Sequence, residues 1–167
     1  MEWPTRKPNR LSRFDYTQNG AYFITVCTQD RKPILWDVGD GFPVPPSPQN
    51  VPLSRMGKIV RRQIGEISEH FPSVTVDRFV IMPDHIHLIL FLHRDFGTGN
   101  PSPTMGNVVG WLKYQTTKAI NGENATTGSR FWQRSFYDHV IRTEQDYVET
   151  AQYIANNPAR WHERHPL

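Results

Sequence analysis

A chain of 167 residues with a net charge of +3 and a pI near 9.2 is long enough for one domain with its own core, and its mildly basic balance suits a polyanionic partner. One cysteine, Cys27, excludes an internal disulfide and a cysteine zinc cluster and fits a reducing, cytoplasmic compartment. No apolar run approaches the roughly 18 residues of a membrane span, and the N-terminus lacks the apolar stretch of a signal peptide.

Residues 1–15 read as a basic arm containing Arg6, Lys7, Arg10 and Arg13. Arginine supplies 14 of the 19 basic residues of the chain, and its planar fork matches phosphate oxygens better than an ammonium does. Arg10 and Arg13 are therefore candidate phosphate contacts, a solvated tail being the plainer alternative. "GAYFITVCTQ" (Gly20 to Gln29) is rich in β-branched and aromatic residues and reads as a strand, with Cys27 as a small core residue. Residues 39–53 hold too many prolines for regular structure and form a loop. Met56, Ile59, Val60, Ile64, Ile67 and Phe71 then recur at helical spacing behind a Ser54 cap. "VTVDRFVIM" and "HIHLILFL" read as the two strands of a hairpin turned at Pro83-Asp84. Residues 94–104 form a second loop, and "MGNVVGWLKYQTTKAIN" a helix ended at Asn121-Gly122. A fourth strand is expected around Phe136 to Arg142, and a last helix opens at Thr143 and stops at Pro158. The order strand, helix, strand, strand, helix, strand is the split βαβ arrangement, an α+β, ferredoxin-like antiparallel sheet with helices on one face, to which a C-terminal helix is added. There is no internal repeat. That fold hosts many functions, so function has to be argued from a site.

The candidate site is "MPDHIHLIL". Strand side chains alternate, so His85 and His87 share one face, about 6.6 Å apart along the strand, while Ile86, Leu88 and Leu90 point the other way. Two imidazoles so placed can share a metal ion. The plainer alternative is a pair of partly exposed histidines. Histidine-triad hydrolases need a third alternating histidine, but position 89 is Ile89. Zinc metalloproteases carry their pair at i, i+4 on a helix. His93 lies where a loop begins. On the last helix, at 100° per residue, Tyr147 joins Val148, Ala151, Ile154 and Ala155 in an apolar stripe. Tyr153 lies about 120° away and stacks with Asn157 at i, i+4 on a polar face. Two histidines, an oxygen donor and a displayed tyrosine suit phosphoryl transfer, with the hydroxyl as nucleophile and the metal neutralising charge on the phosphate.

Taken together, "YFITV" followed by "DRKPIL", "VIMPDHIHLIL", "FWQRSFYDHVIR" and "YIANNP" resemble the REP-associated tyrosine transposases, single-tyrosine HUH endonucleases related to the transposases of the smallest insertion sequences. The resemblance implies a metal pair at His85 and His87, a nucleophile at Tyr153 and a third ligand at Asn157. It further implies Mg²⁺ or Mn²⁺ as cofactor, and a 5′-phosphotyrosine formed on single-stranded DNA beside hairpins such as repetitive extragenic palindromes. A nucleoid-associated protein, monomer or homodimer, is the matching expectation. Trp132, Arg134 and Arg142 join Arg10 and Arg13 as candidate DNA contacts by stacking and phosphate pairing, with core packing and solvated charge as the alternatives. Lys113 and Lys118 read as a solvated helix face and His139 as a supporting residue. Two other readings stay open from sequence: a nucleic-acid-binding module that has lost catalysis, and a small metallohydrolase in which metal-bound water attacks.

Overall fold

Strand β1 (Gly20–Cys27) leads through a short turn and loop to helix α1 (Arg55–His70), then to the hairpin β2 (Val74–Ile81) and β3 (His85–Leu92). Helix α2 (Met105–Glu123), strand β4 (Tyr137–Ile141) and helix α3 (Glu144–Arg164) follow. The computed structural model describes residues 20–37, 48–93 and 103–164. The four strands form one antiparallel sheet in the order β2-β3-β1-β4. β1 and β2, joined by α1, therefore run parallel with β3 between them.

The helix starts follow from their caps. Ser54 Oγ accepts the Gly57 N–H at 3.1 Å, Thr104 and Asn107 form a reciprocal capping box, and Thr143 Oγ1 accepts the Asp146 N–H at 3.1 Å, each satisfying donors the helix leaves unpaired. Two helix ends differ from expectation. α2 continues past Asn121-Gly122 to Glu123, and Asn124 closes it by donating to the Ile120 carbonyl. α3 does not stop at Pro158 but runs on to Arg164. A proline inside a helix costs about 3 kcal/mol through a lost bond and a ring clash. Beyond it Trp161 packs edge-on against Trp36, with ring centroids 5.2 Å apart, and this burial keeps the last turns on the body of the protein. The expected loop over 39–53 contains a short 3₁₀ turn (Pro48–Asn50), and Leu53 bridges Trp36. Residues 38–47 and 94–102, and with them most of the two loops, lie outside the described residues, as do the arm and its Arg10 and Arg13.

Strand alternation splits the sheet into two faces. Tyr22, Ile24, Val26, Ile86, Leu88 and Leu90 are buried on the face that packs against α1 and α2. A bulge at Asp77 resets the alternation of β2, so Val76 and Phe79 both pair with core-face residues of β3. The other face carries Phe23, Thr25, His85, His87, Ile89 and Phe91, and α3 covers it. Tyr147 stacks on Phe91 at 6.1 Å, and Tyr153 meets Phe23 edge-on at 6.0 Å. The tyrosine-bearing helix and the histidine pair therefore meet because α3 lies across the sheet from α1 and α2.

Candidate active site

His85 and His87 sit at the start of the central strand β3, opposite Cys27 and Thr25 at the end of β1. Their rings are 4.6 Å apart by centroid, and their Nε2 atoms approach to 3.0 Å. Each ring is set by a partner on its other nitrogen. His85 Nδ1 donates to Asp84 Oδ1 at 2.6 Å, and His87 Nδ1 lies 2.7 Å from Thr25 Oγ1. A ring whose Nδ1 carries the proton presents an Nε2 lone pair, and two lone pairs facing at 3.0 Å repel unless a proton or a cation lies between them. Two imidazole nitrogens bound at 90° to one octahedral ion at about 2.1 Å would lie about 3.0 Å apart, so the donor pair fits a divalent metal. His87 is 4 % exposed. Burial, and then the positive charges of His85 and Arg31, lower its pKa to about 3, which keeps it in the neutral form a metal requires.

Asp84 belongs to the turn rather than to β3, which frees its side chain from strand alternation. The Thr28 N–H and hydroxyl both bind its carbonyl, at 2.9 and 3.0 Å. Burial would raise the pKa of its carboxyl, but the hydrogen bond and charge of His85 and the charge of Arg31 hold it below the ordinary value. Arg31 reaches Asp84 Oδ2 through Nε at 3.0 Å. It does so from a turn in which Asp30 and Arg31 both have positive φ, 57° and 54°, a conformation that costs a non-glycine residue about 1–3 kcal/mol. Its Nη1 also donates to Cys27 Sγ at 2.7 Å, so Cys27 stands on the histidine face and not in the core as expected.

A cleft of about 550 Å³ opens over the pair, lined among others by Tyr153, Asn157, Asp84, Arg31, Arg160 and Arg164. Tyr153 is 41 % exposed, and its ring stands 5.3 Å from that of His87. Asn157, expected on an exposed polar face, is instead 8 % exposed, because it lies on the edge of the stripe that packs against the sheet. Its buried Nδ2 has no hydrogen-bond partner. Rotating the amide by 180° presents Oδ1 there instead, an oxygen able to join the two imidazoles. Among the described residues no group of three His, Cys, Asp or Glu side chains could hold a metal, so a third donor drawn from these residues would be of another type, as Asn157 is.

Other expectations resolve differently. Trp132 is 3 % exposed, and its indole N–H donates to Thr116 Oγ1 at 2.7 Å. It packs in the core beside Phe131 and has no free ring face for a base, so the DNA contact expected of it gives way to packing. The surrounding pattern of alternating aromatics and arginines does not tell a buried ring from a displayed one. Arg134 and Arg142 are exposed, outside the residues that line the cleft. Lys113 is no solvated side chain, since its ammonium donates to the carbonyls of Gln133, Arg134 and Ser135. His139 Nε2 binds Asp146 at 2.8 Å and ties β4 to the first turn of α3. Tyr147 packs against the core, as its place in the stripe implies, while its hydroxyl donates to Asp77 Oδ2 at 2.7 Å. Tyr137 lines the cleft too, half-exposed on edge strand β4. Sequence reasoning missed Asp84, Arg31, Arg160 and Arg164. The last two were visible by carrying the helical wheel past Pro158.

Comparison with known proteins places the chain. Residues 49–157 match the family model described as "Transposase IS200 like". The chain belongs to this family. An uncharacterized Haemophilus influenzae protein is 29 % identical over 171 residues, spanning 93 % of this chain and 89 % of that one. The REP-associated tyrosine transposase of Escherichia coli (strain K12) is 25 % identical over 150 residues, covering 87 % and 70 %. Among solved structures, a REP-associated tyrosine transposase bound to a REP hairpin superposes with a TM-score of 0.62 at 22 % identity, covering 90 % of this chain and 73 % of that one. Transposases of this kind are DNA nicking and strand-transfer enzymes. No helix among the described residues is long and apolar enough to cross a membrane.

Proposed function

We propose that the chain is a metal-dependent, single-stranded DNA endonuclease and strand transferase acting through a 5′-phosphotyrosine. The observation that carries this is the meeting of Tyr153 with the converging imidazoles in one cleft, where its ring lies 5.3 Å from His87. His85, His87 and Asn157 would hold a divalent cation such as Mg²⁺ or Mn²⁺, which draws charge from the non-bridging phosphate oxygens.

The residues of the chain do the rest. Phe23 and His87 fix the Tyr153 ring by edge contacts. A tyrosine hydroxyl is a weak nucleophile until its proton leaves. The oxygen then attacks phosphorus in line, the P–O3′ bond breaks, and the 3′ oxygen departs with the electron pair and takes up a proton. The tyrosine keeps the 5′ phosphate as a diester, so attack by a 3′-hydroxyl rejoins a strand with no external energy. The named activity of the Escherichia coli relative, and the hairpin in the solved complex, support a hairpin-bearing strand as the substrate class.

The test is incubation of the full chain with a labelled hairpin oligonucleotide carrying single-stranded flanks, in Mn²⁺. A denaturation-resistant adduct whose peptide maps to Tyr153, lost in Tyr153→Phe and in His87→Ala, is expected. Metal-dependent cutting without any adduct would point to attack by water and overturn the nucleophile.

A further inference from the structure

The part of α3 beyond Pro158 lies outside the family match, which ends at residue 157, and the reaction above makes no use of it. At 100° per residue Tyr153, Asn157, Arg160 and Arg164 fall within about 60° of one another, and all four line the cleft. The ion pairs among the described residues engage Arg31, Arg55, Arg78, His85 and His139. None engages Arg160 or Arg164, and both are exposed. Arg31, on the other side of the cleft, is already held by Asp84. Two guanidinium groups with no ion pair among the described residues therefore stand in line with the nucleophile, on a helix segment kept in place by the Trp161–Trp36 contact.

We infer that Arg160 and Arg164 form a phosphate track that grips the single strand next to the scissile phosphate. The inference rests on the nucleophile reading above. Along the helix axis the two arginines lie about 10 and about 16 Å beyond Tyr153, one turn apart. With the reacting phosphate at Tyr153 and the strand following the helix, they meet its neighbours rather than the reacting group itself. Guanidinium forks suit such phosphates because they bind bidentately and stay charged. A cleft of about 550 Å³ between a helix and a sheet has room for one backbone and not for a duplex. The occupant is thus the unpaired flank, not the hairpin stem.

Fluorescence anisotropy on the full chain tests this with two probes, a hairpin bearing single-stranded flanks and the same hairpin without them, between 50 and 200 mM salt. Each phosphate contact on a single strand adds about 0.7 to the slope of log affinity against log salt. The Arg160→Gln/Arg164→Gln protein should lose about 1.4 of that slope on the flanked probe, so that its affinity falls about sevenfold less across this salt range than that of the wild type. On the flankless probe it should match the wild type, and the Arg160→Lys/Arg164→Lys protein should keep most of the slope. An unchanged slope on the flanked probe overturns the track, whether or not the melting temperature moves. An equal loss on both probes assigns the arginines to the stem and overturns it too. Failure of the wild type to form an adduct would sink the nucleophile reading alone, and the salt slopes would still decide the track.

Discussion

Replacing Asp84 by asparagine removes one charge and almost no volume, and it tests whether the histidine pair is a metal site set by its surroundings. Asp84 gives one carboxylate oxygen to His85 Nδ1 at 2.6 Å and the other to Arg31 Nε at 3.0 Å. An amide has one acceptor and one donor end, so it can satisfy one of these partners and must face the other with the wrong group. If its oxygen takes the His85 proton, its NH₂ points at the Arg31 guanidinium. If its oxygen turns to Arg31, its NH₂ donates to His85 Nδ1 and drives the ring proton onto Nε2, the nitrogen that faces His87. The loss is one charge-assisted hydrogen bond, worth about 1.5–3 kcal/mol. Removing the carboxylate behind a ligating histidine typically weakens metal binding by about 10–100-fold, or about 1.4–2.7 kcal/mol. The assay is adduct formation on flanked hairpin DNA against Mn²⁺ concentration. The half-saturating concentration should rise by about that factor, and excess metal should recover much of the plateau. Arg31→Gln should shift it less, because Arg31 is half-exposed and solvent screens its pair. A wild-type Mn²⁺ dependence in Asp84→Asn would refute the claim that this carboxylate sets the ligand.

Tyr153→Phe should abolish the adduct yet change the unfolding free energy by less than about 1 kcal/mol, since the hydroxyl of this exposed ring is not engaged in any hydrogen bond among the described residues. Tyr147→Phe should do the reverse, costing about 1 kcal/mol through loss of the bond to Asp77 while keeping the adduct; urea unfolding and denaturing gels read both. In metal-free protein the folded-state pKa of His87, about 3, lies below the unfolded value of about 6.5, so the unfolded chain binds more protons between these limits. Its contribution to stability is complete above pH 6.5 and shrinks as the pH falls, by on the order of 3 kcal/mol at pH 4; a His87→Gln protein with the same acid sensitivity in chemical denaturation would show that another group is responsible. Trp132→Phe should lower stability by about 1–3 kcal/mol, because it leaves the buried Thr116 hydroxyl without its donor, and DNA affinity measured on folded protein should not change.

The local patterns carried far. Runs of β-branched and aromatic or apolar residues located β1, β2 and β3, helical spacing behind Ser54 located α1, Thr143 and the stripe through Tyr147 located α3, and alternation alone placed His85 and His87 on one face. These succeed because strand and helix periods are properties of neighbouring residues. The same local reasoning went wrong at Pro158, where it weighed a cost of about 3 kcal/mol for a proline inside a helix and did not see Trp161 reaching Trp36. That error hid Arg160 and Arg164.

It also failed wherever burial decided the role. Trp132 and Arg134 look alike as DNA contacts in sequence, but the first lies in the core and the second is exposed. The sequence by itself therefore determined which residue types could do phosphoryl chemistry and on which elements they sit. Tertiary structure alone decided that α3 crosses the sheet on the histidine side, that Asp84 and Arg31 stand behind His85, and that Asn157 is buried beside the cleft. The physical reason is distance along the chain. Tyr153 and His87 come together only when the whole sheet has formed and the apolar stripe of α3 has found the one face left uncovered by α1 and α2.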